Sequence, residues 1–101
     1  AERIHTDLLV LRVAIGRFRR DTGRWPETLE QLVNGAGIER WRGPYVLGGE
    51  SGLLDPWQHP YVYERPGPEG APYRVGTLGA DAAPGGEGKD TDVFENGEPT
   101  P

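Results

Sequence analysis

An apolar stripe near the start of the chain limits its fold more than any other feature. Apolar residues recur at intervals of four and three positions, which places them on one face of an α-helix. Glycine follows in Asp21-Thr22-Gly23, and it ends helices because it tolerates the left-handed conformation. The sequence therefore predicts a helix over residues 1–22, the longest element and the spine of the fold. The stripe consists of Ile4, Leu8, Leu11, Ile15 and Phe18.

This helix has two interpretations from the sequence alone. It is either an ordinary helix that faces a core, or the lower half of a longer helix whose upper half lies in a membrane. The chain begins at Ala1, without Met and already inside the apolar pattern, as the second interpretation leads us to expect. No run of eighteen apolar residues occurs in the sequence, so we predict no membrane span within it.

A second, shorter helix is predicted after the spine. Pro26 stands where the first turn of a helix accepts proline, and acidic residues follow near the positive end of the helix dipole. Apolar residues recur at helical spacing at Leu29 and Leu32. We therefore expect a short helix over residues 26–34 that folds back on the first, with Trp25 as its anchor.

The remaining elements are predicted to be small. Residues 34–60 indicate a loop whose aromatic and apolar side chains plug the domain, with one candidate strand at 45–47. Two runs of β-forming residues flank a proline-rich turn and predict an antiparallel hairpin over 61–77. One face of the hairpin should rest on the long helix, since a lone hairpin is only marginally stable. Residues 95–101 indicate a frayed tail.

The distribution of charge argues against one class of function. Residues 1–42 carry eight arginines against six acidic residues, whereas residues 43–101 carry three basic residues against ten acidic ones. The acidic second part argues against binding to nucleic acid. A basic end and an acidic end favour head-to-tail association of identical subunits. Cysteine is absent, which excludes a disulfide and leaves the redox compartment open.

The patterns of common catalytic and zinc sites are incomplete. Ser51 lacks the flanking pattern of a nucleophile elbow and is interpreted as a turn residue. His5 and His59 have no second His or Cys nearby, so each is interpreted as structural or solvent-facing. Asp90 and Asp92 resemble an acid–base pair, but no pocket, nucleophile or substrate clamp surrounds them in the sequence. We therefore predict that the chain is not an enzyme.

A long loop near the end of the chain needs something other than packing to order it. Residues 79–92 contain three aspartates and several glycines and almost nothing apolar. Loops of this length are usually functional or disordered. Carboxylates that converge on a glycine-rich bend suit an oxygen-binding cation. Calcium is our leading hypothesis.

Three segments resemble one family, in the order in which the family has them. Asp21–Leu32 resembles the stretch Asp-Asn-Gly-x-Tyr-Pro-Thr-Thr and the helix after it. Asp55–Tyr63 resembles Asp-Pro-Trp-Gly-Asn-Pro-Tyr-x-Tyr, and Thr77–Val93 resembles Ser-Leu-Gly-Ala-Asp-Gly-x-x-Gly-Gly-x-Gly-x-Asp-Ala-Asp-Ile. The family is that of the major pseudopilins of type II secretion systems, the general secretion pathway protein G family.

The resemblance implies a fold and a metal site. It implies an α+β, type IV pilin-like fold in a single domain, 1–101, with a long N-terminal helix packed on a small antiparallel β-sheet. The C-terminal loop, here 78–94, binds calcium in that family and is needed for filament assembly. The ligands carried over by position are the carbonyl of Leu78 and the carboxylates of Asp81 and Asp90, with Asp92 near or in the shell.

The resemblance also implies a function, partners and a location. Members are structural subunits of a periplasmic helical filament that drives export of folded proteins across the outer membrane. The implied partners are further copies of the chain, minor pseudopilins and the inner-membrane secretion platform. A hydrophobic helix ahead of Ala1, with a methylated N-terminus in the full-length protein, would anchor the subunit in the bacterial inner membrane and place this domain in the periplasm.

Departures from the family pattern, and two other functions, stay open. Gln58-His59 replaces Gly-Asn, so the turn after Trp57 is where we expect a difference, and Trp25 replaces Tyr. Lys89 adjoins a predicted carboxylate ligand. One alternative is a type IV pilin-like subunit of another filament, for adhesion or DNA uptake. The other is a stand-alone calcium-binding module or a hydrolase that uses the carboxylates.

Overall fold

The long helix forms as predicted and provides one side of the core. The computed structural model describes residues 2–79 and 93–97. Helix α1 spans Glu2–Thr22, and from Leu8 onward the residues of its apolar stripe are at most 1% exposed. It ends at Gly23, whose φ of 79° is left-handed and whose N–H donates to the carbonyl of Arg19. No helix in the described ranges combines the length and apolar character of a membrane span.

A three-stranded antiparallel sheet packs on this helix. Strand β1 is Val62–Glu64, β2 is Arg74–Thr77 and β3 is Val93–Asn96, and the order in the sheet is β1-β2-β3. The predicted hairpin is therefore confirmed as β1 and β2. The central strand β2 is the most buried, and Val75 is fully buried against the core that α1 provides.

The third strand corrects the prediction for the end of the chain. We predicted a metal loop that ran to residue 94 and a frayed tail over 95–101, but both overlap β3. Pairing with β3 satisfies the backbone groups on the open edge of β2, which the predicted hairpin would have left exposed. Gly76 permits this close pairing, because a Cβ there would lie 2.1 Å from the carbonyl oxygen of Val93.

The second helix is shorter than predicted and of a different type. The predicted helix over 26–34 is a single 3-10 turn, Leu29–Leu32. Its two leucines are buried in the core beneath α1. The carbonyl of Leu32 accepts the backbone N–H of Tyr45 at 2.7 Å instead of continuing a helical ladder. The segment buries too little apolar surface to extend an α-helix, whose nucleation is costly.

The segment that connects the second helix to the sheet, residues 34–60, plugs the core but does not contain the candidate strand. We call it the connecting segment. Residues 45–47 form a bend and the start of a turn instead, and within them Val46 is buried while Leu47 is 92% exposed. A 3-10 turn, Gly49–Leu53, follows, and Leu54 then bridges to Pro60. The predicted plug is confirmed by the side chains of this segment that pack against the buried cluster, which include Trp41, Tyr45 and Trp57.

Candidate functional site

The ends of the predicted metal loop are brought together by the sheet. Thr77, the last residue of β2, lies opposite Val93, the first residue of β3. Residues 78–92 therefore connect two directly paired positions. Leu78 is half-buried at the start of this connection. The other three predicted ligands, Asp81, Asp90 and Asp92, lie outside the described residues.

A buried carboxylate lies beneath the start of the loop. Asp55 is only 1% exposed, and its Oδ2 accepts the hydroxyl of Thr77 at 2.6 Å. Its Oδ1 accepts the backbone N–H groups of Trp57 and His59, each at 2.9 Å. A buried carboxylate is costly unless it is hydrogen-bonded. These three donors compensate the charge of Asp55 and fix the turn after Pro56 against the end of β2.

Thr77 connects the buried carboxylate of Asp55 to the start of the loop. Its hydroxyl oxygen accepts the N–H of Gly79 at 3.1 Å while its proton goes to Asp55. Gly79 has a φ of 85°, a left-handed conformation that glycine adopts without strain. The direction in which the chain leaves β2 is therefore set by a buried chain of hydrogen bonds from Asp55 through Thr77 to Gly79.

The other end of the loop is attached to the long helix. Arg12 of α1 donates from Nη1 to Oε1 of Glu95 on β3 at 2.8 Å. His5 lies farther away, with its Nδ1 3.7 Å from Oε2 of Glu95. Both strands that flank the loop are thus held from outside the sheet, β2 by Asp55 and β3 by Arg12.

The turn beneath the site departs from the family pattern at the expected place. Gln58 has a φ of 68°, in the left-handed region where the family motif has glycine. His59 follows it, and its Nδ1 is buried without a hydrogen-bond partner in the described part of the chain. The hydrogen bonds from the backbone N–H groups of Trp57 and His59 to Asp55 are formed with these residues in the turn.

Tyrosine hydroxyls fasten the sheet and the connecting segment to the region around α1. Tyr61 donates to Asp7 at 2.8 Å, and Tyr45 donates to Asp21 at 2.8 Å. Tyr63 donates to the carbonyl of Pro26 at 2.6 Å. Burial raises the pKa of Tyr63 to about 12, and burial also raises the pKa of Tyr45. Tyr63 and Tyr45 therefore stay protonated donors across the physiological range.

The described residues offer no alternative metal site. Ranges 2–79 and 93–97 contain no group of three or more His, Cys, Asp or Glu side chains that could hold a metal. Ser51 is exposed in the 3-10 turn Gly49–Leu53, and the side chain of His5 is 70% exposed. What the arrangement can do is hold the two ends of a long polar loop at fixed positions.

Sequence reasoning missed the buried anchor. Asp55 was interpreted through the proline that follows it and through the family motif, and Thr77 only as the end of a strand. A signal was present, because Asp before Pro favours a turn in which the carboxylate accepts backbone N–H groups of the following residues. The hydrogen bond between Asp55 and Thr77 could not be predicted, since local sequence patterns do not determine which distant segments pack together.

A solved structure has the same architecture. The crystal structure of the major pseudopilin from the type 2 secretion system of enterohaemorrhagic Escherichia coli matches this chain with a TM-score of 0.71. The two chains are 25% identical, and the match covers 92% of this chain and 82% of the other. The long helix and small antiparallel sheet are therefore the fold of a pseudopilin.

Relatives with curated descriptions agree with the fold. Type II secretion system core protein G of Xanthomonas campestris is 40% identical over 80 residues, covering 78% of this chain and 54% of that protein. The proteins of the same description from Vibrio cholerae and Pseudomonas aeruginosa are 38% and 31% identical, covering 87% and 86% of this chain. The chain spans 62% and 64% of their lengths, so it corresponds to less than two thirds of each relative.

The family model gives the assignment. The model of type II secretion system protein G matches residues 1–96, nearly the whole chain, and the chain belongs to that family. The resemblance inferred from the three sequence motifs is confirmed, as is the fold of a long helix on a small antiparallel sheet. The family consists of structural pseudopilins and is not a family of enzymes. The calcium loop stays a prediction.

Proposed function

We propose that this chain is the major structural subunit of a type II secretion pseudopilus. In this proposal, copies assemble into a helical periplasmic filament, and filament growth drives folded proteins across the outer membrane. The observation that carries the proposal is the family match over residues 1–96 on a pseudopilin fold. The subunit works mechanically, so its surface and rigidity matter rather than a catalytic centre.

Calcium binding by the C-terminal loop is the second part of the proposal. The anchored base supports it, because Thr77 and Val93 bring the ends of the loop together and the hydroxyl of Thr77 fixes the backbone at Gly79. Leu78 lies between Thr77 and Gly79, whose positions these contacts fix. Calcium would supply positive charge that turns repulsion among neighbouring carboxylates into attraction. The residues that would hold it are Leu78, through its carbonyl, and Asp81, Asp90 and Asp92.

The proposal includes partners and a location. Minor pseudopilins and the inner-membrane platform would contact the filament, and a hydrophobic helix ahead of this domain would anchor each subunit in the bacterial inner membrane. The domain itself would lie in the periplasm, where a calcium site with a dissociation constant of about 10⁻⁴–10⁻³ M suits an extracellular-type module. Such a site would stabilise the fold by about 2.7 kcal/mol at a hundredfold excess of calcium over that constant.

Thermal unfolding with calcium tests the metal site. Chelator-treated protein should unfold several degrees higher when Ca²⁺ is added and should change little with Mg²⁺. Asp81→Asn and Asp90→Asn should each remove most of this shift. Glu87→Gln is the matched control, because it removes one negative charge from the same loop outside the predicted ligand set. An equal loss from Glu87→Gln would indicate loose attraction of cations rather than a defined site.

Secretion by living cells tests the subunit role. A strain that lacks its own major pseudopilin should recover secretion and surface-extended filaments when it expresses the full-length protein. Asp81→Asn should reduce both recoveries when calcium is limiting. Recovered adhesion or DNA uptake without secretion would instead support a pilin of another filament. Calcium binding with no filament would support a stand-alone module.

A further inference from the structure

One face of helix α1 is apolar although it is turned away from the core. Leu9, Val10 and Val13 are 57%, 46% and 52% exposed, and Leu47 of the connecting segment is 92% exposed. Together they border a groove of about 600 Å³. Single exposed apolar residues are ordinary, but a contiguous group marks a contact surface. We call these four residues the apolar face.

Leu47 is held outward by the backbone around it. Val46 is buried next to it, and Gly48 and Gly49 turn the chain with left-handed φ values of 86° and 61°. The carbonyl of Leu47 also packs closely on Gly52, where a Cβ would lie 2.4 Å from the carbonyl oxygen. This tight turn holds the side chain of Leu47 in solvent. Exposure of a large apolar side chain is unfavourable for an isolated subunit.

A second groove, of about 300 Å³, is lined by two carboxylates. Glu30 and Glu50 are exposed at its rim and form no ion pair with any described residue, and Leu54 and Pro60 contribute its apolar wall. Arg17, exposed at the border of the first groove, is likewise outside the ion pairs that the described residues form. We call Glu30, Glu50, Leu54 and Pro60 the acidic groove.

We propose that the apolar face of one subunit docks on the acidic groove of a second copy of this chain. Leu47 would enter the groove, and Arg17 would pair with the exposed glutamates. The net charge of −5 makes two copies repel in most orientations, so a stable contact has to bring opposite charges together. This contact does so, because it brings Arg17 of one copy to Glu30 and Glu50 of the next.

The geometry of this contact fits a filament. The two surfaces are different, so the contact is heterologous, and a heterologous contact that does not close into a ring produces an open helical assembly. The inference rests on the proposed function and adds the surfaces by which subunits would meet. Each subunit would use its apolar face toward one neighbour and its acidic groove toward another.

Cysteine cross-linking in cells tests the contact directly, since the chain has no cysteine of its own. Val13→Cys and Glu30→Cys, carried on two co-expressed full-length chains, should give a disulfide-linked dimer under mild oxidation. Val13→Cys with Glu69→Cys is the matched control, because Glu69 is also exposed but lies in the hairpin turn outside both surfaces. A dimer from Val13→Cys alone would indicate a two-fold contact and would overturn the head-to-tail arrangement.

Reversal of the charges in the proposed ion pair and replacement of the Leu47 side chain provide a second test of the contact. Arg17→Glu on the chain that carries Val13→Cys should lower the cross-linked fraction roughly two- to fivefold, as expected for one exposed ion pair, and Glu50→Arg on the chain that carries Glu30→Cys should restore it. Leu47→Ser should lower it by at least about tenfold, because a buried leucine contributes much more than a rim charge. Failure of the charge swap to restore cross-linking would overturn the pairing of these two residues.

The outcomes separate this inference from the function on which it rests. Filaments that form normally while Val13→Cys and Glu30→Cys give no dimer would overturn the contact and leave the subunit role intact. Failure of the unsubstituted chain to form filaments would contradict the subunit role and the contact together.

Discussion

The hydroxyl of Thr77 donates a 2.6 Å hydrogen bond to Oδ2 of Asp55, and each residue is only 1% exposed. The bond joins the turn at the end of the connecting segment to the last residue of the central strand. The same hydroxyl oxygen accepts the N–H of Gly79. The start of the predicted calcium loop is therefore fixed by a buried polar contact.

Removal of the Thr77 hydroxyl should weaken the fold markedly. Thr77→Val keeps the shape of the side chain but leaves the buried carboxylate of Asp55 short of one donor, which should cost about 1.5–3 kcal/mol. The measurement is the free energy of unfolding from urea denaturation. Thr77→Ser keeps the hydroxyl and should lose much less. Equal stability of Thr77→Val and the unsubstituted protein would show that the hydrogen bond does not hold the strand.

The exposed and buried apolar residues should differ sharply in their contribution to stability. Phe18→Ala removes a fully buried ring and should cost about 3–5 kcal/mol. Leu47→Ala alters a side chain that is 92% exposed, so the free energy of unfolding should change by less than about 0.5 kcal/mol. Thermal and urea unfolding of the isolated domain provide the comparison. A large loss from Leu47→Ala would mean that this side chain packs within its own subunit.

The ion pair between helix and third strand should be weak but measurable. Arg12 and Glu95 are each about a quarter exposed, at 26% and 29%, and a partly exposed pair typically contributes about 0.2–1 kcal/mol. Glu95→Gln should therefore reduce the free energy of unfolding by an amount in that range, and 1 M salt should shrink the difference. A difference that is the same at all salt concentrations would point to lost hydrogen bonding rather than lost charge.

The long helix and the hairpin could be predicted because their signals are local. The spacing of Leu8, Leu11 and Ile15 is helical whatever surrounds it, and the end at Gly23 follows from its backbone freedom. The third strand could not be predicted in this way. Val93 and Phe94 follow a polar stretch, and only the open edge of β2, formed by residues distant in sequence, makes a strand there favourable.

The candidate site was predictable only in part for the same reason. The motif around Asp55 and the aspartates of the loop are visible in the sequence, and Leu78 directly follows β2, at the start of the predicted loop. The hydrogen bond from Thr77 to Asp55 spans 22 residues, so no periodic pattern encodes it. The helix predicted at 26–34 was wrong in type because burial of two leucines needs only a single 3-10 turn.

High pH should destabilise the fold through Tyr63. Burial raises the pKa of this phenol from 10.0 to about 12. In the unfolded chain Tyr63 would therefore lose its proton near pH 10, while in the fold it would keep its proton until about pH 12. Between these values the unfolded state binds fewer protons, so the free energy of unfolding falls as pH rises, by at most about 1.4 kcal/mol per pH unit for this group.

The comparison of the protein with Tyr63→Phe isolates this contribution. Tyr63→Phe loses the hydrogen bond to the carbonyl of Pro26 and should be less stable at neutral pH by about 1 kcal/mol. It has no proton to lose at this position, so the stability gap should shrink above pH 10 and reverse before pH 12, because a loss approaching about 1.4 kcal/mol per pH unit over this range exceeds a gap of about 1 kcal/mol. Tyr45 titrates in both proteins, so its contribution cancels in the difference. Urea midpoints measured at half-unit intervals of pH provide the test, and a gap that stays constant would show that Tyr63 ionises as freely in the fold as in the unfolded chain.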